Sequence, residues 1–370
     1  MGNQPRVVVI GGGVIGAAIT FYLAKTGVSV TLVDRQEPGS WTTRTSFGWI
    51  NAFNKKPDHY HRFSRLGIEL YDQLEKELGS EAGLSRGGSL HWLPNTSESN
   101  NTNSLLKNLR RLRYPVQLIT TAQAKKLEPN LKVDSLAGNV IYAPEERWVD
   151  GEILCKTLIR HAVGYGADLL AHCEAQNIIV RNGRVHGVLT AKGILSCDIA
   201  VIAGGAASLE LGASLSYHLP LSRAMGILVI TTPAPGIVNR IVYMSKYHIK
   251  PTSDGRLAIG CKEMEYLVSG ENNTTNPTHW TSQLMKMAQN DFQGLENTYI
   301  QELRVSPRPI PSDGLPVIGP IPKIEGAYIA VMHSGVTLAA IVGKTVSEEL
   351  VEGSPSKLLD FYRADRFHTD

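Results

Sequence analysis

Ahead of Ala17 the chain reads Gly11-Gly12-Gly13-Val14-Ile15-Gly16, and Asp34 closes a later apolar run, Val28-Ser29-Val30-Thr31-Leu32-Val33. Residue types at that spacing can hold two linked phosphates and a ribose. Gly11 permits a tight turn out of Val7-Val8-Val9-Ile10, Gly13 lets a pyrophosphate approach bare backbone, and Gly16 lets the next helix pack closely on the sheet. Val14 and Ile15 lie where that helix begins, and its unpaired N–H groups and positive dipole end favour an anion. Asp34 falls at about the ~20-residue offset where a carboxylate accepts both hydroxyls of an adenosine ribose and disfavours a 2′-phosphate. The elements needed to position these groups are strand, turn, helix and strand.

The whole chain is compatible with such a fold. At 370 residues it can bury a substantial core and form two domains. A hydrophobic fraction of 42% and a charged fraction of 19% are those of a soluble globular protein. A formal charge of +3 argues for neither nucleic acid nor an anionic membrane surface as partner. No apolar run approaches the ~18 to 20 residues that span a bilayer. The N-terminus runs almost at once into a strand and leaves no room for a signal peptide, so the expected location is the cytoplasm. Cys155, Cys173, Cys197 and Cys261 are widely separated, with no C-x-x-C and no histidine cluster at metal spacing. They are expected to be buried thiols, and no metal site is expected.

Further elements follow in order. Pro38 to Asn51 is a turn-rich, hydroxyl-dense loop, well placed after a dinucleotide strand to line the pyrophosphate. Tyr60, Phe63, Leu66, Leu70, Leu74 and Leu78 recur at helical period between Pro57 and Gly79. His59 and His61 lie two apart and therefore do not share a face. Ser85 to Leu93 alternates as a strand, Asn95 to Asn103 is a polar loop, and Ser104 to Arg113 is a helix with a basic, solvated face. Asp150 is expected to cap a helix from Gly151 to about Val163 whose buried side includes Ile153, Leu154, Leu158 and Ile159. Arg181-Asn182-Gly183-Arg184 is a hairpin turn between strands. Leu219 to Ile230, Ile241 to Lys250 and Arg256 to Gly260 read as strands of a second sheet, and Gln283 to Phe292 as a helix. Arg304 to Gly319 is a Pro- and Gly-rich stretch holding Arg304 and Arg308. Tyr328 to Met332 is a buried strand, and Ser334-Gly335 opens a last helix to about Glu352, a second place where a helix start could face negative charge.

Taken together, these segments resemble the FAD-dependent amine and amino-acid oxidoreductases typified by D-amino-acid oxidase, glycine oxidase and monomeric sarcosine oxidase. The resemblance covers most of the chain and is carried by Gly11 to Asp34, Ser46 to Asn51 and Ala203-Gly204-Gly205-Ala206. It is most specific in Arg308-Pro309-Ile310-Pro311-Ser312-Asp313-Gly314-Leu315-Pro316-Val317-Ile318-Gly319, followed by His333-Ser334-Gly335-Val336-Thr337-Leu338-Ala339. It implies an α/β fold: a Rossmann-type, glutathione-reductase-like FAD-binding domain from residues 1–80, 145–215 and 305–370. A mainly antiparallel-sheet substrate domain would come from 81–144 and 216–304.

The same resemblance implies non-covalent FAD, because Ser306-Pro307-Arg308 and Ser40-Trp41-Thr42 offer neither the cysteine nor the histidine that tethers flavin in some relatives. Arg35, Thr42, Thr43, Thr45, Ser46, Ala175, Ala203, Gly204 and Gly205 would join the glycine turn and Asp34 along the cofactor. His333, Ser334, Gly335, Val336 and Thr337 would face the flavin's pyrimidine edge. The implied reaction is hydride transfer from an amine-bearing carbon to flavin N5, giving an imine that hydrolyses; it needs a neutral amine and good positioning but no dedicated acid or base. Arg308 would fork onto a substrate carboxylate, also touching the cofactor, with Arg304 as the alternative. His248 falls where glycine oxidase-like relatives often carry a tyrosine facing the substrate, and Tyr247 beside it would point the opposite way. A 2-hydroxy-acid oxidoreductase, the flavin subunit of a larger amine dehydrogenase complex and a non-catalytic flavin-binding module are the alternatives. The acceptor would be oxygen, a quinone or another protein, and a homo-oligomer is possible.

Overall fold

Val7–Ile10 is fully buried and lies at the centre of a six-stranded sheet, pairing in parallel with Ile199–Ile202 on one side and Val30–Val33 on the other. Continuous β-branched and aliphatic runs of this kind suit strands covered on both faces. The computed structural model describes residues 4–93, 99–132, 139–261 and 277–368. The sheet order is Val317–Pro320, Ala327–Val331, Ile199–Ile202, Val7–Ile10, Val30–Val33, Asp168–Leu170, with only the first pair antiparallel. The helix Val14–Lys25 packs against helices Gly151–Gly164 and Gly335–Glu352, and all three contribute to the largest hydrophobic core.

A second, eight-stranded sheet runs Ile300–Pro307, Met225–Thr231, Leu257–Gly260, His248–Pro251, Ile241–Tyr243, Ser89–Leu93, Asn139–Ala143, Gln117–Ile119. It is antiparallel except where Ile241–Tyr243 lies parallel to Ser89–Leu93. The mixed α/β class expected from the sequence is the class found. Asn182 and Gly183, both at positive φ, make the expected hairpin between Ala175–Arg181 and Arg184–Thr190. All four cysteines are buried free thiols. Among the described residues, no helix is long and apolar enough to cross a membrane.

Several local expectations are corrected. The helix expected from Ser104 begins at Ser99, taking in most of the stretch read as a polar loop; Asn95 to Glu98 lie outside the described residues. Ile241 to Lys250 is two strands folded back on each other, because Tyr243 pairs with His248 across a turn that a continuous apolar reading conceals. The strand expected from Leu219 starts at Met225, and Arg304 lies within the strand Ile300–Pro307. Leu66 and Ile153 sit at the edges of their helices' apolar faces and are exposed.

Asp150 is the residue before the helix Gly151–Gly164, yet its side chain makes no capping bond. Its Oδ1 instead accepts from Lys250 Nζ at 3.1 Å, and its Oδ2 from Ser253 N at 2.9 Å. Lys250 is buried with its ammonium 4.1 Å from the centre of the Trp148 ring. A desolvated ammonium needs a counter-charge more than a helix start needs a side-chain cap. Burial pushes Lys250 below its ordinary value, with Asp150 offsetting part of the shift. Lys250→Met is expected to cost about 3 kcal/mol, the low end for stranding one partner of a buried pair, since Ser253 still serves Asp150. Urea unfolding at neutral pH measures it; a loss below about 1 kcal/mol would mean the pair is worth no more than apolar packing.

Candidate active site

Between the two sheets lies a cavity of about 950 Å³. One end is the glycine turn. Gly11 has φ 107°, and a Cβ there would stand 2.6 Å from the Ala203 carbonyl, so the turn requires glycine on both grounds. Gly13, Val14, Ile15, Asp34, Arg35, Thr42, Thr43, Thr45, Ser46, Ala175, Ala203, Gly204 and Gly205 line the cavity with it. Gly16 does not. A Cβ on Gly16 would lie 1.9 Å from the Gly11 carbonyl oxygen, so its work is to let the helix close on the turn.

Two details of this end exceed the sequence reading. Asp34 Oδ2 accepts from Gly12 N at 2.6 Å and its Oδ1 from Gln36 N at 2.7 Å, so the acid fixes the turn while still lining the cavity. Thr43 Oγ1 accepts from Val14 N at 3.0 Å, which docks the hydroxyl-rich loop on the helix start.

The other end is the start of the helix Gly335–Glu352. His333, Ser334, Gly335, Val336 and Thr337 all line the cavity. Thr337 Oγ1 donates to Trp49 O at 3.0 Å and accepts from Asn51 N at 3.3 Å, tying the loop to this helix as well. Arg308 Nη2 donates to His333 Nε2 at 2.5 Å. Burial pushes His333 well below the ordinary histidine range, and the nearby charges of Arg308 and Lys55 add to it, so the ring is a neutral acceptor. The stem of Arg308 packs over Gly226, where a Cβ would meet its Cγ at 3.1 Å. Arg304, the alternative anchor, does not line the cavity; it donates to Arg44 O at 3.1 Å and to Glu302 Oε2 at 3.0 Å.

Between the two ends runs an aromatic wall of Phe47, Trp49, Phe53, His91, Tyr243 and His248. His248 lies parallel to Tyr243 at 5.9 Å and edge-on to Phe47 at 4.4 Å. It has room because its cross-strand partner is Gly260, where a Cβ would come within 2.2 Å of its Nε2. Tyr247 points away, as expected, and donates to Asp291 Oδ2 at 2.7 Å. His91, Phe53, Tyr243 and Lys55 were not singled out from the sequence. A signal for His91 exists: Ser89 and His91 alternate with Leu90 and Trp92, which puts two polar groups on one face of a buried strand.

The residues present fit FAD. A glycine turn that any Cβ would fill, a helix start, a carboxylate at the end of the second strand and a second helix start share one cavity. Fold and cavity together define a dinucleotide-dependent oxidoreductase of the α/β class. The family profile described as FAD dependent oxidoreductase matches residues 6–349, and the chain belongs to that family. Its cofactor is FAD.

The chain is 26% identical over 361 residues to a glycine oxidase of Geobacillus kaustophilus, covering 95% of this chain and 94% of that enzyme. It is 25% identical over 395 residues to the mitochondrial sarcosine dehydrogenase of Mus musculus; there it spans 99% of its own length but 42% of the relative's. In structure it resembles the L-proline dehydrogenase of P. horikoshii, with a TM-score of 0.87 and 24% identity over 99% of this chain and 98% of that one.

Proposed function

We propose that this chain oxidises an amino acid or related secondary amine at the carbon bearing the nitrogen, giving an imine that water hydrolyses. The observation that carries the reading is Arg308, which lines the same cavity as the dinucleotide turn and the aromatic wall. A planar fork there suits a carboxylate. The names of the relatives, glycine oxidase and sarcosine dehydrogenase, point to the same class of substrate.

FAD, when bound, supplies the hydride acceptor. The chain's own residues bind and orient. Gly11, Gly13, Val14, Asp34 and Thr43 would hold the dinucleotide, and the helix start at Ser334 to Thr337 would face the flavin ring, where its dipole favours negative charge. Neutral His333 fixes the Arg308 fork. Phe47, Tyr243 and His248, which line the cavity, would shield the reacting carbon from water.

The strands of the six-stranded sheet all fall within residues 1–80, 145–215 and 305–370. We therefore infer the cofactor domain there and the substrate domain in 81–144 and 216–304, with the strand Ile300–Pro307 crossing the last boundary. Dioxygen, a quinone or a partner protein would reoxidise the flavin.

The test is an anaerobic absorbance spectrum of the purified protein before and after adding D-, L- and N-methyl amino acids. A yellow protein whose flavin band bleaches with one class is expected, and admitting air then reports on oxygen as acceptor. Flavin that bleaches only with 2-hydroxy acids would overturn the amine assignment.

A further inference from the structure

Glu146 is fully buried behind the aromatic wall. Its Oε1 accepts from Tyr114 Oη at 2.7 Å, and its Oε2 accepts from Trp49 Nε1 at 2.7 Å and from Ser89 Oγ at 2.6 Å. Three donors satisfy it as a carboxylate. Ser89 Oγ also lies 2.9 Å from His91 Nε2. A hydroxyl has one proton, and two oxygens 2.6 Å apart need it between them, so the proton of Ser89 goes to Glu146. Ser89 can then only accept from His91, which places the imidazole proton on Nε2 and leaves Nδ1 as the ring's acceptor. His91 lines the cavity, held flat against Phe53 with ring centres 3.8 Å apart.

The hydride step proposed above uses no acid or base of its own, but it starts from a neutral amine, whereas an amino acid enters from water as an ammonium ion that must first lose a proton. Resting on that reading, we propose that His91 is the base of this site: its Nδ1 takes the ammonium proton of the bound substrate, and Glu146 stabilises the resulting imidazolium through Ser89. One N–H bond of the substrate breaks, one N–H bond forms on His91, and the amine keeps the electron pair. The arrangement is an oriented base backed by a buried carboxylate. The titratable groups facing His91 from the neighbouring elements are Glu146 and Tyr243, with His248 stacked beyond Tyr243.

The experiment uses the FAD-loaded protein with sarcosine, L-proline and glycine as probes, mixed anaerobically between pH 6 and 10. Flavin bleaching is followed for the native chain, His91→Asn and Ser89→Ala. His91→Asn is expected to slow bleaching by ~10²-fold at pH 7, the scale of a lost general base, and to recover toward the native rate near pH 10, where free amine is abundant. Ser89→Ala keeps the imidazole and is expected to shift the same limb by a smaller amount.

A second readout needs no turnover. Binding of 2-methylalanine, which has no hydrogen on its amine carbon, is expected to release about one more proton to a weakly buffered indicator in His91→Asn than in the native protein. Variants that stay yellow but show the native pH profile and native proton release would overturn the assignment of His91 alone. A native flavin that no amine bleaches would overturn the amine reading and this assignment with it.

Discussion

Arg308→Ala is expected to raise KM for a carboxylate-bearing amine by ~10²-fold or more, with a smaller fall in kcat. The scale follows from two hydrogen bonds to a charged group at about 1.5 kcal/mol or more each, against 1.4 kcal/mol per tenfold. A carboxylate held equally in the ground and transition states affects KM more than kcat. The guanidinium is placed for this by the peptide unit that precedes it: Arg308 N donates to Ala224 O at 2.8 Å, and Pro307 O accepts from Thr42 Oγ1 at 3.0 Å. Its removal leaves that backbone intact, so the loss should fall mainly on substrate binding. Steady-state kinetics with an amino acid and with the same amine lacking its carboxylate make the check. The variant should lose its preference for the first, and an unchanged KM would place the carboxylate anchor elsewhere.

Gly16→Ala is expected to abolish retention of FAD, so that the protein purifies colourless. The added methyl would sit 1.9 Å from the Gly11 carbonyl oxygen, a rigid backbone atom rather than a flexible side-chain tip. The helix Val14–Lys25 cannot withdraw freely, because Ala17, Ala18, Ile19 and Phe21 are wholly buried on it. Relief must therefore come from the turn, which moves the N–H groups meant for the pyrophosphate. Overpacking of this kind costs about 1 to 3 kcal/mol in stability, and the loss of FAD affinity should exceed it in consequence. Flavin absorbance after gel filtration and a thermal melt with excess FAD separate the two effects. A yellow variant with native affinity would show that the turn tolerates displacement.

The cofactor end was legible because its parts are close in the chain. Turn, helix start and acid all lie between Gly11 and Asp34, and backbone conformation follows from which of those residues lack a Cβ. Arg308 and the stretch from His333 to Thr337 were legible through a resemblance carried by contiguous motifs. Arg304 stood as the alternative to Arg308 on sequence grounds; in the structure Arg308 lines the cavity, while Arg304 does not and donates to Glu302 and the Arg44 carbonyl. Asp150 misled for a related reason. Its position read correctly as the residue before a helix, but its partner is Lys250, 100 residues away.

By itself, then, the sequence determined the α/β class and the glycine turn with its helix start and acid, since these depend on local backbone geometry and short spacing. Only the tertiary structure decided which side chains share a proton or a charge. Glu146 meets Ser89 across 57 residues and Trp49 across 97. Hydrogen bonds act over about 3 Å in space, whatever the separation along the chain, so a buried carboxylate behind a cavity-lining histidine exists only once Ser89–Leu93 has paired with Asn139–Ala143 and Trp49 has come against them.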